Sequence, residues 1–147
     1  KTARTNEYAI EILKEYFPKK RIIDLDLKKN DKIPYEGILH LDCTFNPIGK
    51  DKCIIYKNGF VDQNDYELII DFFGEENCFH VTDEEMFEMN PNIFSISPEV
   101  VVSDHTFTRM NKHLRDVWGF TVEEIPYREV SKMGGLLRCS TMPLVRE

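Results

Sequence analysis

A chain of 147 residues that is 41% hydrophobic and 31% charged has the size and composition of one globular domain with its own buried core. The net charge of -7 argues against a protein that holds nucleic acid through phosphate contacts, because such domains are usually basic. The sequence contains no run of about eighteen apolar residues, so it predicts no membrane span.

The four cysteines, Cys43, Cys53, Cys78 and Cys139, include no Cys-x-x-Cys pair, and their spacing fits no zinc-ribbon pattern. Four cysteines in a chain of this length are too few for a disulfide-dense scaffold. We therefore expect reduced thiols and a cytoplasmic protein.

The first half of the chain predicts two helices. Ala9, Ile12, Leu13 and Tyr16 follow the helical spacing, with Thr5 or Asn6 as the cap and Pro18 as the stop. A second helix starts at Asp62 and ends at Gly74. The strands predicted around these helices cover residues 21–27, 37–48, 53–56 and 78–81.

The second half of the chain continues the alternation of helices and strands. A short acidic helix capped by Thr82 is followed by strands at residues 94–96 and 100–103. A longer helix carries Phe107, Met110, Leu114 and Trp118, and a strand follows at residues 121–125. The grouping strand, strand, helix, strand occurs about twice, which is typical of an α/β fold.

His40 and Asp42 are two residues apart in the predicted strand 37–48, so both side chains would lie on one face. Such a pair either lines a cleft or is satisfied by hydrogen bonds in a purely structural role, and the spacing alone does not decide between them. A metal site formed by His40, Asp42 and Cys43 is disfavoured because Cys43 would lie on the opposite face. We expect no metal and no cofactor.

Cys139 is preceded by the glycine pair Gly134-Gly135 and by Arg138, at the start of a segment that resembles a strand. A nearby positive charge favours the thiolate, so Cys139 is a candidate nucleophile with His40 as the base. A lone cysteine is also often a buried small apolar residue, and the glycines also suit an ordinary turn.

Three motifs in order resemble arginine deiminases. Residues 134–147 are very similar to the carboxy-terminal active-site segment of that family, and residues 40–45 are similar to its histidine motif. Residues 3–6, followed by a helix, resemble the segment after the family's Glu-Gly-Gly-Asp strand, and residues 98–102 match in kind. The resemblance covers nearly all of the chain.

The family is part of the guanidino-group-modifying, or pentein, superfamily. The resemblance implies an α/β propeller of five ββαβ blades, of which residues 1–147 would supply about three, as the carboxy-terminal part of one catalytic domain that lacks its amino-terminal blades. It implies a guanidino substrate such as arginine or a derivative, and no nucleic-acid or membrane partner. It is also compatible with a homodimer.

The resemblance also implies the roles of single residues. Cys139 would be the nucleophile, His40 the acid and base, Asp42 a carboxylate that holds the guanidinium, and Arg4 a contact of the substrate carboxylate. Two further acids of the family have no counterpart here, so we expect this chain to be inactive without its amino-terminal half. Gly134 replaces an arginine of the family, so a guanidino compound is implied rather than L-arginine itself.

The activity implied is a C–N hydrolase that uses a cysteine thiouronium intermediate. An amidinotransferase and a non-catalytic pentein that only binds a partner remain the alternatives.

Overall fold

A computed structural model of the chain describes residues 1–2, 4–30, 32–33 and 36–145. Ala3 of the amino-terminal motif and Arg146 and Glu147 of the carboxy-terminal motif therefore lie outside the described residues. Helix α1 (Glu7–Tyr16) starts at Asn6, whose side chain accepts a hydrogen bond from the Ala9 amide. It ends just before Pro18, as the sequence predicts.

The first ββαβ unit consists of β1 (Phe45–Ile48), β2 (Lys52–Ile55), α2 (Gln63–Phe73) and β3 (Cys78–His80). Strand β2 is central, antiparallel to β1 and parallel to β3. It is an apolar run with three fully covered residues, as expected for a strand with both faces packed.

A connector joins this unit to the next one. Helix α3 (Asp83–Phe87) begins with a capping box, in which the Thr82 and Glu85 side chains each bind the other residue's backbone N–H. A 3-10 turn (Asn90–Asn92) follows, and all three of its residues are buried.

The second unit repeats the same order with β4 (Phe94–Ser95), β5 (Val100–Asp104), α4 (Thr108–Asp116) and β6 (Thr121–Ile125). Strand β5 is again central, antiparallel to β4 and parallel to β6. Two single-turn helices complete the described chain, α5 (Arg128–Ser131) and α6 (Leu137–Ser140).

The repeated ββαβ grouping and the α/β class are confirmed. The described residues form two such units as separate three-stranded sheets, so the expected count of about three blades is not confirmed. One core draws on both units and includes Ile54, Ile55, Ile93 and Leu114, each fully buried. None of the helices in the described ranges combines the length and apolarity that crossing a membrane requires.

Two predicted strands are wrong. Residues 21–27 are not a strand, and only Leu27 forms an isolated bridge, to Phe60. In the predicted strand 37–48, only Phe45–Ile48 is extended into a ladder, because Leu41–Cys43 forms a 3-10 turn. Two backbone hydrogen bonds form this turn: the Cys43 amide donates to the His40 carbonyl, and the Thr44 amide donates to the Leu41 carbonyl.

Candidate active site

Three predicted site residues come together although the predicted strand does not form. The ligand atoms of His40, Asp42 and Cys139 all lie within 4.8 Å of one another. Cys139 Sγ lies 3.8 Å from Asp42 Oδ2. His40 and Cys139 are exposed and Asp42 is half-buried, so a solute can reach all three. A soft nucleophile, an imidazole and a carboxylate in this arrangement can perform covalent and acid–base chemistry.

Helix α6 places Cys139 and is not the strand that the sequence predicts. Gly134 and Gly135 both have positive φ, +83° and +89°, and turn the chain into this single helical turn. Leu136 and Leu137 are buried at its start, while Cys139 is exposed. The Leu136 carbonyl accepts hydrogen bonds from the amide and the hydroxyl of Ser140, which closes the turn. Two buried leucines thus hold the backbone while the thiol faces outward.

Asn92 is a site residue that the sequence analysis missed. Its side chain is fully buried in the connector between the two units. Its Oδ1 accepts hydrogen bonds from the amides of Leu136 and Cys139, at 2.9 and 3.2 Å. Its Nδ2 lies 3.2 Å from Cys139 Sγ and 3.4 Å from the Asp42 carbonyl, and donates to both. Asn92 therefore joins the turn that carries Asp42 to the helix that carries Cys139.

A nearby guanidinium also faces the Asp42 carboxylate. Arg138 Nε lies 3.8 Å from Asp42 Oδ2, in an ion pair that is partly exposed. The side chain that the sequence analysis associated with the cysteine is thus paired with the carboxylate. At 3.8 Å the two groups attract each other as charges without forming a hydrogen bond.

The thiols differ in accessibility. Cys43, Cys53 and Cys78 are buried, whereas Cys139 is exposed. Burial raises the pKa of the Cys43 thiol to about 12, against the opposing effect of a backbone hydrogen bond. Burial also raises the pKa of Cys53 and Cys78. Of the four cysteines, Cys139 is the one placed to react with a solute.

Within the part of the chain that the structure describes, no hydrogen bond or ion pair joins Arg4 to this cluster. It is exposed, and its backbone amide donates to Thr2 Oγ1 before α1. A cavity of about 580 Å³ lies beside the cluster, and Asp42 and Arg138 are among the residues that line it. Lys50 and Lys52 also line this cavity, together with the rings of Phe73 and Phe94.

The chain matches the sequence model of the family described as arginine deiminase over residues 58–146. The chain belongs to the arginine deiminase family. This membership agrees with the resemblance that the sequence motifs carry.

Known proteins match most of this chain in sequence or in structure. The chain is 30% identical over 143 residues to the uncharacterised protein YkgA of Bacillus subtilis (strain 168), covering 97% of this chain and 46% of YkgA. It superimposes with a TM-score of 0.78, at 18% identity, on the product-bound N-terminal domain of ArgZ, an arginine dihydrolase from the ornithine-ammonia cycle in cyanobacteria, covering 97% of this chain and 48% of that one. An ArgZ N-terminal domain covalently bound to a reaction intermediate gives a TM-score of 0.74 at 18% identity, covering 92% and 46%.

A transferase has a similar fold. SxtG, an amidinotransferase from Microseira wollei in the saxitoxin biosynthetic pathway, gives a TM-score of 0.73 at 22% identity, with 97% of this chain and 40% of SxtG covered. The chain thus spans about half the length, or less, of these relatives.

Proposed function

We propose that this chain supplies the nucleophile and the acid–base pair of an enzyme that modifies a guanidino compound through a covalent bond to Cys139. The observation that carries the proposal is the convergence of His40, Asp42 and Cys139 within 4.8 Å, from segments about a hundred residues apart. Membership of the arginine deiminase family supports the same assignment.

The bound cation is held by Asp42. The guanidinium group of the substrate would take the place of the Arg138 guanidinium at the Asp42 carboxylate. This carboxylate lies 3.8 Å from the sulfur of Cys139. Because the carboxylate lies beside the sulfur, one guanidinium can contact both groups, with its carbon about 3–3.5 Å from the sulfur as a reactive complex requires. The positive charge of the substrate also favours the thiolate form of the nucleophile.

The reaction proceeds in two halves. The Cys139 thiolate forms an S–C bond to the guanidinium carbon, the C–N bond to the departing amine breaks, and His40 gives that amine a proton. A water molecule then attacks the thiouronium carbon while His40 takes up its proton. The S–C bond breaks, the thiolate returns, and a ureido product leaves. The ArgZ domain that is covalently bound to a reaction intermediate supports a covalent path.

The anionic end of the substrate belongs in the adjoining cavity. Lys50 and Arg138 supply exposed positive charges to its wall, and Phe73 supplies an apolar surface for a short carbon chain. This arrangement fits a substrate with a guanidinium at one end and a carboxylate at the other, such as arginine or a derivative. It also offers an anion site in a chain where Gly134 replaces an arginine of the family.

An amidinotransferase is the second candidate, because SxtG has a similar fold. In that case an amine attacks the thiouronium carbon in place of water and receives the amidino group. Product analysis with and without a primary-amine acceptor such as glycine or ornithine separates the two reactions.

Turnover by the natural protein that contains this chain tests the proposal. We expect Cys139→Ser to abolish turnover of arginine and related guanidino compounds while binding, measured by calorimetry, is retained. The matched variant is His105→Ala, an exposed histidine away from the cluster, which should turn over normally. Turnover by Cys139→Ser at the wild-type rate would overturn the assignment. We expect residues 1–147 alone not to turn over a guanidino substrate, because two acidic residues of the family have no counterpart in them.

A further inference from the structure

The structure points to a second ligand for the His40–Asp42–Cys139 cluster, and we propose that it binds a zinc ion reversibly. The cluster offers an imidazole nitrogen, a carboxylate oxygen and a thiolate sulfur, all within 4.8 Å of one another. Each of these three donors is a ligand that Zn²⁺ uses in proteins. Cys43, the thiol next to Asp42 in sequence, is buried, and the fold instead places the exposed thiol of Cys139 beside His40 and Asp42.

The separation of the donors fits a tetrahedral ion. With Zn–S of about 2.3 Å and Zn–N and Zn–O of about 2.0–2.2 Å, neighbouring ligand atoms of a tetrahedral site lie about 3.4–3.6 Å apart. The Cys139 Sγ to Asp42 Oδ2 separation of 3.8 Å is close to that value. His40 is exposed, so its ring can close the remaining gap by side-chain rotation.

The surroundings complete the site. Asn92 Nδ2 donates to the sulfur from a fully buried position, which orients the thiolate as outer-shell groups orient metal ligands. Three protein ligands leave the fourth position to a solvent molecule, since His40 and Cys139 are exposed. Arg138 opposes the ion, because its charge lies 3.8 Å from Asp42 Oδ2, but the side chain is partly exposed and can move away.

Zinc binding at this cluster requires only that Cys139 lose a proton. The thiol of Cys139 loses its proton to solvent and its sulfur donates an electron pair to Zn²⁺, with no oxidant or reductant involved. Zinc bound in this way occupies the sulfur, the imidazole and the carboxylate that the proposed reaction needs. The consequence that zinc blocks turnover rests on the proposed function, whereas the metal site itself does not.

The test uses this 147-residue chain and the metal alone. Calorimetry with Zn²⁺ should show one ion per chain, and Co²⁺ should produce the thiolate-to-metal charge-transfer absorption of a cysteine ligand. We expect Cys139→Ser to remove that absorption and to weaken zinc binding at least about 10-fold, and His40→Ala to weaken binding similarly. Arg138→Gln should tighten binding, because it removes the opposing charge.

The control is His105→Ala, which removes an exposed histidine outside the cluster and should leave binding unchanged. Circular dichroism of each variant shows whether its fold is intact. Absence of the charge-transfer absorption in the wild-type chain, or equal zinc affinity of wild type and Cys139→Ser, would overturn the metal site. Neither result bears on turnover in metal-free buffer, so failure here is distinct from failure of the proposed function.

Discussion

Gly135 controls the position of the nucleophile candidate. Its φ of +89° lies in the region that disfavours L side chains, and a Cβ built on it would lie 2.7 Å from Cys139 Cβ and 3.1 Å from Cys139 Sγ. Gly134 has nearly the same φ, +83°, but a Cβ there would meet nothing within 4 Å. The two glycines therefore share a backbone requirement, and only Gly135 has a steric requirement at the sulfur.

This difference gives a matched pair of variants. We expect Gly134→Ala and Gly135→Ala each to lower the free energy of unfolding by about 1–2 kcal/mol, because both force an alanine into positive φ. Gly135→Ala should in addition displace Cys139 and change the rate at which a neutral thiol reagent labels it. Urea denaturation and labelling kinetics measure the two effects. Equal labelling rates in the two variants would contradict the steric role of Gly135.

Asn92 shows why one site residue was invisible in the sequence. Its partners Leu136 and Cys139 lie 44 and 47 residues further along the chain, and its contact to the Asp42 carbonyl spans 50 residues. The local pattern Asn90-Pro91-Asn92 indicates only a turn. A fully buried amide with every contact at long range becomes a candidate only when the fold is known.

At the scale of elements, Asp104 at the end of β5 joins that strand by hydrogen bonds to the segments around it. This carboxylate is fully buried and accepts hydrogen bonds from the amide and hydroxyl of Thr106 and from the amide of Tyr127. Burial raises the pKa of Asp104, but these hydrogen bonds outweigh it and hold the pKa below its ordinary value. The carboxylate thus ties β5 to the segment that follows β6.

The lowered pKa makes the stability of the fold depend on pH. Because the folded pKa lies below the unfolded value of about 3.9, the stabilisation is present at neutral pH, begins to fall near that value and is lost as the pH drops through the folded pKa. We expect Asp104→Asn to cost about 1.5–3 kcal/mol at pH 7 and to flatten the loss of stability below about pH 4. Urea denaturation across this pH range measures both. The control Asp71→Asn, on the exposed surface of α2, should retain the wild-type pH dependence, and an Asp104→Asn curve parallel to wild type would refute the account.

Element prediction succeeded where the signals were local. Asp62 caps α2 and Gly74, at φ +83°, ends it, so both bounds could be seen in the sequence. The strand predicted through His40 failed because the alternation of Leu39 and Leu41 imitates a strand. In a strand, Leu41 and Cys43 would lie on the same face and be buried to a similar extent. In the fold Leu41 is 40% exposed while Cys43 is buried. A three-residue turn held by Asn92 decides the geometry there, and that partner is remote in sequence.

At the scale of the whole molecule, the two ββαβ units meet at Phe79. This buried ring of β3 lies 5.0 Å from the His113 ring of α4 and 6.4 Å from the ring of Trp118, measured between centroids. The Arg109 guanidinium covers it at 4.3 Å and donates to the His80 carbonyl and to the Glu85 carboxylate. The interface therefore combines apolar burial, ring contacts and a charged cover in one place.

Truncation of Phe79 tests whether the two units fold as one. We expect Phe79→Ala to lower the free energy of unfolding by about 3–5 kcal/mol, because it leaves a cavity where β3 of the first unit packs against α4 of the second. Phe72→Ala removes an 80% exposed ring and should cost less than about 1 kcal/mol. Unfolding followed by the fluorescence of Trp118, the sole tryptophan, and by circular dichroism should coincide in the wild type. Separate transitions, or a similar loss in both variants, would contradict a shared core.

The fold as a whole was partly accessible from sequence. The α/β class, the ββαβ repeat and the family came from ordered local patterns and three motifs. The separation into two three-stranded sheets did not, because which strands pair depends on contacts across the chain. The joining of His40, Asp42 and Cys139 depends in the same way on the path of the connector between the two units.

The most direct test of the central claim compares two reagents on Cys139 that differ in charge, 2-chloroacetamidine and the neutral 2-chloroacetamide. If Asp42 receives a planar cation beside the sulfur, the amidine should label Cys139 faster than the amide, and Asp42→Asn should reduce that preference about fivefold, the effect of a charge pair worth about 1 kcal/mol. The exposed Asp51→Asn makes the same change in net charge and should leave the preference intact. Equal labelling by the two reagents in the wild type, or an unchanged preference in Asp42→Asn, would contradict the account.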